Sequence, residues 1–174
     1  MNPIAETIKA RLAVSRETED VLGFTFVARE PADPTAIAAC EEALGYPLPP
    51  LLREIYLGVA NGGFGPGYGV MGVAGGFTDD QGETITSLYQ SFRQPDPEDT
   101  GWQWERTWVP FCHWGCAIYS VVDCIDPYPV FYVDPSAKDL GEPMSSIVLP
   151  HKPSLASWLE DWLAGRDLWS EVWE

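Results

Sequence analysis

Cys112-His113-x-x-Cys116, with Cys124 further on, comes nearest to a metal site, because three thiolates and an imidazole can complete a tetrahedral zinc shell. The spacing argues against it. Zinc ligands come as close doublets on tight turns, whereas Cys116 and Cys124 sit in or beside a hydrophobic run, where a free cysteine packs as a small hydrophobe. A thiol nucleophile built from Cys112 with His113 or His151 meets a similar objection. Neighbouring residues on a strand point to opposite faces, and neither histidine lies in a recognisable catalytic sequence. Carboxylates form three clusters: Asp79, Asp80 and Glu83; Asp123, Asp126 and Asp134; Asp96, Glu98 and Asp99. Any pair could be drawn as acid and base, but 26 acidic residues guarantee accidental neighbours. A solvated face or a surface for a basic partner is therefore expected ahead of catalysis.

Glycines crowd residues 62 to 76 without the Gly-Lys-Ser/Thr of a phosphate loop or a strand-to-helix fingerprint, which sets nucleotide binding aside. Ten basic against 26 acidic residues leave a net charge of −16, which repels phosphate backbones and anionic lipid and attracts basic partners. The N-terminus alternates charges too often for a signal peptide, and the uncharged stretch from Ile55 to Thr78 is too rich in glycine to span a bilayer. With four cysteines and no export signal, a reducing, cytoplasmic compartment and free thiols are expected. A chain of 174 residues that is 45% hydrophobic can bury one good core, and no repeat or linker divides it.

The elements that must position these residues follow from periodicity. Ile37, Cys40 and Leu44 share one helix face, entered at Asp33-Pro34 and stopped at Gly45. Beyond the prolines at 47, 49 and 50, Leu52, Ile55, Tyr56 and Val59 define a second helix that ends at Asn61-Gly62-Gly63, residues expected to shape its exit rather than touch a partner. Ile4, Ile8 and Leu12 mark a peripheral first helix, and Phe24 to Val27 a short edge strand. Tyr68, Val70 and Val73 leave a weak strand and a glycine-rich loop as competing readings. Ile85, Leu88, Tyr89 and Phe92 return to helical spacing before an acidic loop at 94–99 that is expected to be solvated. Trp108 to Phe111, Gly115 to Val122 and Val130 to Val133 read as a three-stranded antiparallel meander, punctuated at His113-Trp114-Gly115, with a further strand at Ile147 to Leu149. Ser154 caps a closing helix striped by Leu155, Trp158, Leu159, Trp162 and Leu163, Gly165 stops it, and Leu168, Trp169 and Val172 add a further turn.

The order of Glu42, Leu44-Gly45, Leu48-Pro49, Leu51-Leu52-x-x-Ile55-Tyr56 and Asn61-Gly62-Gly63 resembles the SUKH superfamily, which includes fungal cell-wall-assembly regulators and bacterial immunity proteins. Val109-Pro110-Phe111, Trp114-Gly115-Cys116 and Asp123 are similar to its central strands, and Leu155-x-x-Trp158-Leu159-x-x-Trp162-Leu163 to its closing helix. The likeness runs over roughly residues 33 to 166 and rests on joint order, each motif being degenerate. It implies a single α+β domain over 1–174, a mostly antiparallel sheet flanked by helices, with no catalytic residues, no metal and no cofactor. It also implies a protein partner, above all a bacterial toxin domain such as a basic nuclease, and neither nucleic acid nor membrane directly. On that reading Asp79, Asp80, Glu83 and Asp126 supply charge and Trp102 or Trp104 an aromatic anchor. A regulatory scaffold for endogenous proteins is the alternative, and a small thiol or metal-dependent enzyme a lesser one.

Overall fold

The computed structural model describes residues 1–19 and 23–173. Helix α1 (Pro3–Val14) starts where Asn2 accepts a hydrogen bond from the Ile4 amide, and it buries Ala5, Ile8 and Leu12. Strands β1 (Glu17–Glu19) and β2 (Thr25–Val27) pair antiparallel as a small separate sheet. Only the second of these strands is expected from sequence, because the Glu-Thr-Glu of β1 is largely exposed and needs no hydrophobic alternation. Residue 20 of that charged stretch lies outside the described residues.

Helix α2 (Pro34–Leu44) is capped by Asp33, which accepts from the Thr35 amide, and it ends at Gly45 with φ +82°. Helix α3 (Pro50–Gly58) buries Leu52, Ile55 and Tyr56. Beyond it the chain turns on Asn61, whose side-chain oxygen accepts from the Val73 amide at 2.8 Å. A Cβ on Gly62, at φ +79°, would stand 2.7 Å from Val70 O and Gly72 N, so only glycine fits there. Asn61 and Gly62 are therefore structural, as their place at the helix exit implies.

From 64 to 84 no strand forms among the expected residues. Left-handed glycines at 65, 67 and 69 interrupt it. The loop instead lies along an edge of the main sheet: Met71 N donates to Phe111 O, His113 N to Gly69 O, and Val70 bridges Cys112. Helix α4 (Ile85–Phe92) follows, opened by a reciprocal Thr84–Ser87 cap.

The main sheet is antiparallel throughout, in the order β3 (Trp108–Gly115), β4 (Ile118–Asp123), β5 (Val130–Val133), β6 (Val148–Lys152). Gly115 closes β3 rather than opening β4. His113-Trp114-Gly115 is consequently strand and not punctuation, and the turn falls on Cys116 and Ala117, both left-handed at φ +51° and +60°. Helix α5 (Leu155–Leu163) carries a Ser154–Ser157 cap like that of α4, and its buried Trp158 meets Phe111 edge-on at 5.0 Å. Gly165 breaks α5 at φ +76°, and a 3-10 turn, Ser170–Val172, follows. The molecule is thus α+β, the described residues forming five α-helices packed around a four-stranded antiparallel sheet, with a two-stranded one beside it. No helix among the described residues is long and apolar enough to cross a membrane.

Candidate partner-binding groove

Strand alternation decides what each side of the hairpin β3–β4 sees. On one side the Tyr119 hydroxyl donates to Asp79 Oδ2 at 2.9 Å, and its ring stacks on His113 at 5.2 Å. On the other, the Trp114 indole donates to Ser120 Oγ at 2.9 Å, and Trp114 and Tyr132 both pack against Trp169 of the C-terminal segment. Since His113 and Trp114 are neighbours on one strand, a cavity touching both must run across the end of the hairpin. Such a groove, of about 700 Å³, is walled by Phe24, Tyr68, Phe77, Trp114 and Trp169, with Asp79, Asp80 and His113 beside the Cys116 thiol and the Tyr68 phenol, and its described lining contains no lysine or arginine.

Asp79 is buried and committed inward. Its Oδ1 accepts from the amides of Gln81 and Glu83 at 3.0 and 2.8 Å, and its Oδ2 accepts from Tyr119, so it ties the 79–83 turn to β4. Asp80 next to it is 60% exposed and places Oδ1 3.7 Å from Nε2 of His113. Burial lowers the pKa of His113 while the charges of Asp80 and Asp79 oppose the shift. Burial chiefly, with the charge of Asp79 added, pushes the Tyr119 hydroxyl far up, so it stays protonated and keeps its proton to donate to Asp79.

The sequence-selected positions fall in three places. Asp79, Asp80 and Glu83 are on the turn beside the groove. Trp102 and Trp104 stack on each other at 6.0 Å against the end of α4, their indoles donating to Phe92 O and Trp108 O. Trp104 is buried there, so its indole belongs to the core, while Trp102 is half-buried. Asp126 is exposed in the β4–β5 loop, at the far end of β4 from the groove and separated by about 17 Å of strand. Asp99 departs from the solvated loop expected of it. It is buried in an ion pair with Lys138 at 2.6 Å, and the hydrogen bond from Lys138 holds its pKa down.

The cysteines separate too. Cys40 and Cys112 are buried, Cys124 is half-buried and Cys116 is exposed on the hairpin turn. Burial raises the thiol of Cys124 to about 12 and that of Cys112 well above its ordinary value, so neither supplies a thiolate near neutral pH. Among the described residues no group of three or more His, Cys, Asp and Glu is placed to hold a metal. Another cavity, of about 580 Å³ between Met1, Tyr46 and Leu57, has its charges already matched: Arg53 pairs with Glu41, and Glu54 with the N-terminal amine.

The aromatic and histidine walls of the groove were not visible as a set in the sequence. They arrive from chain segments near 24, 68, 77, 113 and 169, and only the Asp79-Asp80 pair stands out locally. No curated protein and no solved structure matches the chain. The SMI1 / KNR4 family (SUKH-1) model matches residues 31–165, which take in α2, α3, the capped loop at Asn61, the whole main sheet and α5, and the chain belongs to that family.

Proposed function

We propose that this SUKH-1 chain is a non-enzymatic protein-binding module, and specifically an immunity protein that neutralises a basic bacterial toxin domain. The observation that carries the reading is the groove: aromatic walls and carboxylates, with no lysine or arginine among the described lining residues, on a chain of net charge −16. Family membership supports binding of a protein. The choice of a toxin rests on the groove's charge and on the resemblance to immunity proteins. A toxin acting on nucleic acid needs a basic cleft, and an acidic surface attracts that cleft and competes with its anionic substrate. Asp80 and Glu83 are the charges offered at the surface, with Asp79 fixing the turn that presents them. Trp102 and Asp126 lie apart and serve as peripheral contacts in the same proposal.

Capture from a lysate of the source organism at low and high salt, with bound proteins identified by mass spectrometry, tests it. A stoichiometric basic toxin domain whose capture weakens with salt is expected. Recovery of endogenous regulators instead, insensitive to salt, would sink the immunity reading in favour of a regulatory scaffold.

A further inference from the structure

The groove offers two acceptors to one point. Among the described residues Nε2 of His113 is buried and without a hydrogen-bond partner, and Asp80 Oδ1 is 3.7 Å away. That distance is too long for a hydrogen bond between them, and it is the gap one N–H-rich group can bridge. The two members differ in freedom: the His113 side chain is 3% exposed and that of Asp80 60%. A neutral imidazole with its proton on Nδ1 accepts at Nε2, and burial favours the neutral ring. An unpaired buried acceptor of this kind costs stability, which a bound donor would recover. Phe77, Trp114 and Trp169 are among the aromatic residues that wall the same groove. The chain itself sets guanidinium groups on rings, Arg29 over Phe77 at 6.0 Å and Arg11 over Trp162 at 5.0 Å.

We infer that the groove takes an arginine side chain of the protein partner, its guanidinium lying on the aromatic wall and donating to both Asp80 and Nε2 of His113. Arginine suits this better than lysine, because its planar head stacks on rings, sheds water more readily and spreads several N–H groups in one plane. A cavity of about 700 Å³ has room for that side chain and its flanking backbone. Nε2 of His113 is itself shielded, so entry includes a movement of its neighbours, among which the Asp80 side chain is exposed. The inference rests on the protein-binding reading and names what the site recognises.

The test needs no toxin. The full chain is titrated with N-acetyl-arginine methylamide while the indole N–H resonances of Trp114 and Trp169 are followed by nuclear magnetic resonance. A saturable shift in the millimolar range is expected. The uncharged citrulline analogue and the lysine analogue should bind more weakly, and Asp80→Asn, at an exposed position that does not threaten folding, should weaken arginine binding about tenfold. His113→Phe should do the same if it folds. No saturable shift, equal binding of the citrulline or lysine analogue, or an unaffected Asp80→Asn overturns the assignment. Failure here alongside capture of a basic toxin removes the arginine subsite and leaves the immunity reading standing. Arginine binding without a captured toxin does the reverse.

Discussion

The neighbours Asp79 and Asp80 read alike in sequence and do opposite work. Asp79 satisfies two backbone amides and the Tyr119 hydroxyl inside the protein, so Asp79→Ala should cost about 1–3 kcal/mol in urea unfolding. Tyr119→Phe in that background should cost little more, since the hydroxyl has already lost its acceptor. Asp80→Lys should leave stability nearly unchanged and, where the immunity reading holds, lower partner affinity and flatten its salt dependence in binding measurements at several ionic strengths. His151 adds a pH effect. It is buried beside Lys152, Glu171 and Asp161, and burial with the Lys152 charge outweighs the two carboxylates and lowers its pKa from 6.5. A histidine lowered in this way contributes its full stability above about 6.5, and that contribution is lost as pH falls through the folded value, because the unfolded chain takes the proton first. His113 adds to the same trend. His151→Gln should therefore reduce the slope of unfolding free energy against pH below about 6.5, measured by urea titration at each pH.

At the scale of elements, legibility followed the caps. Helices α2 and α5 were readable because Asp33 and Ser154 announce their starts, glycines at 45 and 165 mark their ends, and apolar residues repeat between. The main sheet was readable as a meander but not its first turn, because Cys116 and Ala117 adopt left-handed backbone that sequence assigns to glycine or asparagine. The neighbouring Gly115 drew the boundary to the wrong place. Replacing Cys116-Ala117 by Asn-Gly should raise stability by about 0.5–1 kcal/mol, read as a higher denaturation midpoint. Gly62→Ala should do the opposite by about 2 kcal/mol or more, since its Cβ would strike the Val70–Gly72 backbone at positive φ. Strand β1 gave no signal at all. Three exposed residues, two of them glutamate, satisfy no hydrophobic pattern and are held by pairing with β2.

At the scale of the molecule the groove was illegible because its walls come from five distant segments, one of which is the C-terminal turn. Trp169 packs against Trp114 and Tyr132, and Glu171 pairs with Lys152, so this segment is tied to the sheet beside the groove that Trp169 helps to wall. The exposed Cys116 lies on the groove's rim while Cys40 and Cys112 are buried, so a thiol reagent should label Cys116 fastest, and a bound partner should slow that labelling. The loop that runs along β3 has a different consequence. With the Met71 and His113 amides spent between loop and strand, that stretch of β3 is covered, and Pro150 removes a donor from β6 at the opposite border. Both features oppose another chain joining by extension of the main sheet, whether a partner or a second molecule in an aggregate. Recognition through the main sheet is thereby steered toward side chains, and crowded expression should yield dispersed material rather than fibres.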